Sequence, residues 1–184
     1  EISECLVGSE MCIRDRANRM VVEAMEKRYE QDLQKWNSTP TEKRTKRNKP
    51  VKVEFGVRIC QKDCKYYVGE VGTSGGHWEV SPLSVPPCND GDKMIGYAHS
   101  HPDKNASLSD NDRKIAKEGF GSNFNIDENI KIPPKIIMTA SVRDGEGNIR
   151  THLYNPNKPA GKTNATFING IRPVSYTHLT LPTT

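Results

Sequence analysis

From Val51 to Ile59 the apolar residues fall on every second position: Val51, Val53, Phe55, Val57 and Ile59 interleave with Lys52, Glu54, Gly56 and Arg58. A period of two belongs to a strand with one face on a core. It sends Glu54 to the opposite face, where Gly56 leaves open space beside the carboxylate. The chain before this point keeps a different period. Across residues 17–37, Val21, Met25, Tyr29, Leu33 and Trp36 recur at helical spacing among charged and polar residues, which predicts an amphipathic helix. Ser38-Thr39-Pro40 ends it, because proline cannot continue a helix. A chain that changes from helical to strand spacing in this way must build a mixed fold.

The remaining elements follow from punctuation and pattern. Residues 65–71 pair with the first strand as a hairpin, and Thr73-Ser74-Gly75-Gly76 is a flexible turn. Residues 81–91 form a Pro-rich loop. Residues 94–98 form a short apolar strand that runs into His99, and residues 109–120 read as a short helix. Residues 135–142 and 148–154 make a last hairpin around Asp144-Gly145-Glu146-Gly147. The expectation is a mixed α/β domain with one central sheet over residues 51–155, preceded by a basic linker at 38–50 and followed by an extension at 156–173.

The two ends of the chain are related through their DNA. Val174-Ser175-Tyr176-Thr177-His178-Leu179 can be encoded by GTC TCT TAT ACA CAT CT. The reverse complement of that string contains ATG TGT ATA AGA GAC, which encodes Met11-Cys12-Ile13-Arg14-Asp15. Unrelated protein termini have no reason to share such a string, which resembles the transposon end of sequencing-library adapters. Residues 1–16 and 174–184 are therefore read as adapter-derived and set aside from the folding argument. On that reading the chain is a piece of a longer frame, of the kind that environmental bacterial or phage DNA yields.

Setting these ends aside removes two basic and four acidic residues from the 27 and 23 of the whole chain, leaving 25 against 19. Much of the excess lies in Lys43-Arg44-Thr45-Lys46-Arg47-Asn48-Lys49, with no aromatic residue interleaved. A solvated linker is the commoner outcome for such a run and is preferred to a nucleic-acid patch. No apolar stretch is long enough to span a bilayer, so no membrane partner is expected. Of the cysteines left, Cys60 and Cys64 either face each other across a hairpin, seed a second metal site with His77, or are small buried residues at strand ends. The last is preferred, because three cysteines with Cys88 give neither a disulfide framework nor a zinc-ribbon spacing.

The chemistry concentrates in Gly96-Tyr97-Ala98-His99-Ser100-His101-Pro102 and in Ser109-Asp110-Asn111-Asp112. Two histidines two residues apart at a strand end project to one side and can chelate one ion. A helix starting near Ser109 can return a carboxylate to the same point. Two imidazoles and one carboxylate suit zinc and leave a fourth position open for water. A second carboxylate is then needed to move the proton, and Glu54 is the candidate. Ser109-x-x-Asp112 is equally a helix capping box, and Ser107-x-x-Asp110 matches the same short pattern one register earlier. His77, within Gly75-Gly76-His77-Trp78, could line a groove, but structural roles are preferred for it and for His152.

His-x-His-Pro, six residues, then Ser-x-x-Asp, with a glutamate on an earlier strand, resembles the motif of the JAMM (MPN-plus, JAB) metalloproteases. The resemblance covers residues 51–155. It implies a central curved sheet flanked by helices, with Zn2+ held by His99, His101 and Asp112. It further implies Glu54 as general acid and base, Ser109 as a stabiliser of the tetrahedral oxyanion, and a protein or peptide substrate cut at an amide or isopeptide bond. Glu54-Phe55-Gly56 and residues 150–156 are also similar to the JAB-like domains that end Rhs-type bacterial toxins, which implies a secreted or delivered effector. Other expectations are a phage-tail or cell-wall processing peptidase of the same superfamily, or a metal-free binding scaffold.

Overall fold

A computed structural model describes residues 7–170, with side chains from residue 11 onward. Among the described residues the elements run α1 (Val7–Ser38), β1 (Gly56–Lys62), β2 (Lys65–Val68), β3 (Lys93–Ser100), α2 (Asp110–Glu118), β4 (Ile137–Arg143), β5 (Ile149–Tyr154) and β6 (Asn164–Ile168). The six strands form one sheet in the order β2-β1-β3-β4-β5-β6. Only the β3–β4 pair is parallel. A parallel pair needs a long crossover, and here the crossover carries α2. The fold is the expected mixed α/β class.

α1 lies against one face of this sheet. It buries Ala17, Val21, Val22 and Met25. Ala17 and Val21 cluster with Val57 and Ile59 of β1 and Ala98 of β3. A buried polar seam crosses the interface, where the Thr139 hydroxyl donates to Asn18 Oδ1 over 2.6 Å and Asn18 Nδ2 donates to Asn169 Oδ1 over 3.3 Å. The helix is longer than the spacing predicted, since it also runs through residues 7–16. Ile13 packs on its cluster, and Asn169 Nδ2 donates to the Asp15 carbonyl over 2.9 Å. Residues 1–6 and 171–184, including the adapter-like string at 174–184, lie outside the described residues.

The other face carries a second core, in which Cys60, Val80, Val85, Tyr97, Ile115, Met138 and Ala140 pack together. A register shift opposite Ile59 and Cys60 lets β3 serve both cores. Tyr97 and Met94 turn to this second face, while Ile95 packs beneath α1.

Several expectations are revised. The regular strand begins at Gly56 rather than Val51, and Val51 is exposed. Both faces of β1 and the segment just before it are buried, so Arg58 of β1 and Glu54 ahead of it lie inside the protein at 1% and 5% exposure. Nor does Gly56 leave open space: a Cβ there would sit 2.3 Å from the Tyr97 hydroxyl, so the glycine makes room for the tyrosine. Cys60 is bonded to Cys88, with Cα atoms 5.8 Å apart, and Cys64 is exposed. Because that pairing spans 28 residues through the Pro-rich loop, local spacing does not reveal it. The extension at 156–173 supplies β6, which pairs antiparallel with β5. The basic stretch is folded back on α1: Arg44 stacks over Trp36 at 5.0 Å, and Asn48 Nδ2 donates to the Lys43 carbonyl over 2.8 Å. No helix among the described residues is long and apolar enough to cross a membrane.

Candidate metal centre

β3 delivers both histidines. Its last residues pair with Gly56 of β1 on one side and with Ala140 and Ser141 of β4 on the other. His99 is therefore clamped between two neighbours and is 3% exposed. The His101 N–H still bonds to the Ser141 carbonyl at 2.9 Å, so the chain leaves the sheet only after the second histidine. There the His101 ring turns back, and its Nε2 lies 3.1 Å from His99 Nε2. His101 Nδ1 is 2.9 Å from the Asn105 carbonyl, a contact that requires the proton on Nδ1 and leaves the Nε2 lone pair directed at His99.

α2 brings the carboxylate. Its N-cap is Ser109, whose hydroxyl accepts from the Asp112 N–H over 3.1 Å while Asp112 Oδ2 accepts from the Ser109 N–H over 2.8 Å. Asp112 Oδ2 also stands 3.6 Å from His99 Nε2. The capping box and the convergence on the histidines are therefore one arrangement: the cap fixes the rotamer that aims Asp112 at His99. The alternative register is decided as well, since Asp110 is exposed and pairs with Arg113 at 3.4 Å. Gly119 closes the helix with φ 81°, and its N–H donates to the Ile115 carbonyl over 2.8 Å. His99, His101 and Asp112 each offer one atom, all within 4.8 Å of one another, and could hold a metal ion.

Glu54 joins them from the segment preceding β1. Its N–H donates to the Gly76 carbonyl over 2.9 Å, and its carbonyl accepts from the Thr73 hydroxyl over 2.6 Å. The two bonds hold it to the Thr73–Gly76 turn. Its side chain lines a cleft of about 480 Å³ together with His99, His101, Ser109 and Asp112. All five residues singled out from the sequence thus border one cavity.

The charges in the cleft are interdependent. Burial raises the Glu54 carboxyl to about 7, opposed by the charge of His99 and reinforced by those of Asp112 and Glu79. Burial disfavours a charge on His99, but the charge and hydrogen bond of Asp112, with the Glu54 carboxylate and the Thr139 backbone, together outweigh it and raise the His99 pKa. Burial likewise opposes ionisation of Asp112, yet His99 and the Ser109 bonds hold its carboxyl well below the usual carboxylate range. His101 is lowered by burial and by its proximity to His99.

Other cleft residues were not singled out from the sequence. Tyr97 is buried and its hydroxyl has no hydrogen-bond partner; burial raises its pKa. Its place between Gly96 and Ala98, two residues before His99, was the available signal. From the Gly75-Gly76-His77-Trp78 segment that the sequence offered as a groove lining, Trp78 does line the cleft while 67% exposed, with its ring 4.2 Å from that of His77. Ile115, Phe120 and Met138 give the cavity an apolar side, which only the folded chain assembles.

No protein-family model, no curated protein and no solved structure matches the chain. What the site does must be argued from its own residues.

Proposed function

We propose that the protein is a zinc-dependent peptidase or isopeptidase of the JAMM type, with His99, His101 and Asp112 as ligands and Glu54 as the proton carrier. The observation that supports this most is the spacing of the three candidate donor atoms beside a buried carboxyl. Ligands at zinc distances of about 2.0–2.1 Å in a tetrahedron lie roughly 3.3 Å apart. The observed separations from His99 Nε2, 3.1 Å to the His101 nitrogen and 3.6 Å to the carboxylate oxygen, bracket that value, and the third separation, between His101 and Asp112, is wider but within 4.8 Å. The donor set of two nitrogens and one oxygen also suits zinc and leaves a position open to the cleft.

Bound zinc would act as a Lewis acid toward the scissile carbonyl and would bring a water to a pKa of about 7. The other steps fall to the protein. Glu54, with a carboxyl near 7, can take a proton at neutral pH and return it to the leaving amine. Ser109 lines the same cleft, and its Oγ accepts from the Asp112 N–H, which leaves its own hydrogen free to meet an oxyanion. The open, partly apolar cleft suits a peptide segment. Delivery as a toxin effector, or a role in phage-tail or cell-wall processing, is a further reading of the same chemistry.

The test is to incubate the zinc-supplied protein with a peptide and isopeptide library in 18O water and read products by mass spectrometry. Cleavage with one 18O in the new carboxylate, absent in Glu54→Gln, is expected. Cleavage that survives Glu54→Gln at full rate would refute the proposed role of Glu54.

A further inference from the structure

The loop between His101 and α2 is secured at one residue by a closed ring of hydrogen bonds outside the cleft. The Leu108 N–H donates to His152 Nδ1 over 3.0 Å. His152 Nε2 lies 3.2 Å from Asn164 Oδ1. The same Asn164 oxygen accepts from Arg113 Nε over 3.3 Å, and Arg113 Nη1 donates to the Leu108 carbonyl over 2.9 Å. Both backbone groups of Leu108 are thereby held by side chains from β5 and α2 that meet on one atom of β6.

This arrangement fixes the chemical state of His152. Only an unprotonated Nδ1 accepts the Leu108 N–H, so the proton must sit on Nε2, where it donates to Asn164. Asn164 Nδ2 is turned to the Thr163 hydroxyl at 3.2 Å, which agrees with its oxygen facing the ring. Leu108 immediately precedes Ser109, whose hydroxyl and N–H set the rotamer of Asp112. From this geometry we infer that His152 is a positioning residue: through Leu108 it holds Ser109, and through Ser109 it holds Asp112 at the metal site.

The inference deepens the zinc reading above, and its effect on the metal rests on that reading. A metal ligand that depends on a second hydrogen-bonded layer loses affinity when that layer is removed, typically about 10- to 100-fold. Protonation has the same direction, since a charged His152 would set an N–H against the Leu108 N–H and add a cation beside Arg113. The groups facing His152 are Arg113 of α2, itself paired with Asp110, and the neutral Asn164 of β6. Burial, opposed by the Asn164 hydrogen bond and reinforced by Arg113, lowers the His152 pKa, which favours the neutral ring that the geometry requires.

Two measurements on the full chain test this, one without metal. In the metal-free protein, NMR should find the His152 proton on Nε2 and a protected Leu108 amide. His152→Ala and Asn164→Ala should each speed amide exchange at Leu108, Ser109 and Asp112 while leaving β3 protected. Zinc affinity by chelator competition should then fall about 10- to 100-fold in both variants. His152→Asn, whose Oδ1 can replace Nδ1 as acceptor, should retain affinity within a few fold and lose less of it than the native protein as pH falls below the ordinary histidine range. If the native protein binds no zinc but exchange at Ser109 and Asp112 responds as stated, the zinc reading fails and the positioning role stands. A proton on Nδ1, or unchanged exchange at all three amides in both variants, overturns the inference.

Discussion

The two faces of the sheet differ in how they treat polar groups. Beneath α1 the buried surface is aliphatic, and the fully buried polar side chains are neutral and paired, as in Asn18 with Thr139 and Ser141 with Thr151 at 2.7 Å; Arg14 of α1, whose Nε has no partner, is only half-buried. The opposite face buries Glu54, Arg58 and His99 and leaves the Tyr97 hydroxyl and Arg58 Nε without partners. Arg58 has five acceptors but no carboxylate: four backbone carbonyls, of Pro82, Asn129, Ile130 and Lys131, and the sulfur of Met94. Burying ionisable groups costs free energy that hydrogen bonds only partly offset. The α1 face satisfies the requirements of folding, and the α2 face carries features that folding alone does not ask for. In this molecule, that contrast marks the face that carries the candidate metal site.

The contrast can be broken most strongly at the disulfide, which ties β1 to the loop over the cleft. For a closure spanning 28 residues, Cys60→Ser with Cys88→Ser should cost about 3–4 kcal/mol in urea unfolding. Amide exchange should rise first around Val80 and Val85, with Val57 and Ala98 still protected. Equal loosening of both faces would show that they are one cooperative unit. On the α1 face, Ile59→Ala should cost about 3 kcal/mol through lost burial and a residual cavity, yet leave metal affinity in the folded fraction unchanged. His99→Ala should do the reverse, abolishing metal binding while stability changes by less than about 1 kcal/mol.

A third effect depends on pH. The folded Glu54 carboxyl titrates near 7 against 4.5 for the free group. The native state therefore holds its proton more tightly than the unfolded chain, and the stability this gives below pH 4.5 is lost as pH rises through 7. Glu54→Gln cannot ionise. In metal-free protein, its stability relative to the native chain should rise by about 3 kcal/mol between pH 4.5 and 8. A pH-independent difference would mean that Glu54 is better solvated than its surroundings suggest. The smallest effect belongs to the α1 face. Arg143 donates to Glu26 across the surface at 2.8 Å, with both side chains about one-third exposed, so Glu26→Gln should cost under about 1 kcal/mol in thermal unfolding.

Much of this was legible in the sequence, and unequally. The two periods identified α1 and β1. The His-x-His and Ser-x-x-Asp spacings picked out residues that meet in one cleft, because a strand end and a helix N-terminus constrain direction as well as position. The side of β1 on which Glu54 lies followed from alternation. Its burial did not, since that depends on the loop at 78–85 folding across it. The same loop brings Cys88 to Cys60, and pairing at that distance leaves no local trace. β6 was missed because Asn164, Ala165 and Thr166 are exposed at a sheet edge and show no apolar alternation. The Leu108 ring joins residues from three elements and had no pattern to read.

The central claim is that His99, His101 and Asp112 hold zinc, and elemental analysis of the purified, zinc-supplied protein tests it most directly. About one zinc per native chain, lost in His101→Ala and in Asp112→Ala while both remain folded by circular dichroism, is the predicted result. A folded native protein without zinc, or one whose zinc survives both substitutions, would contradict it.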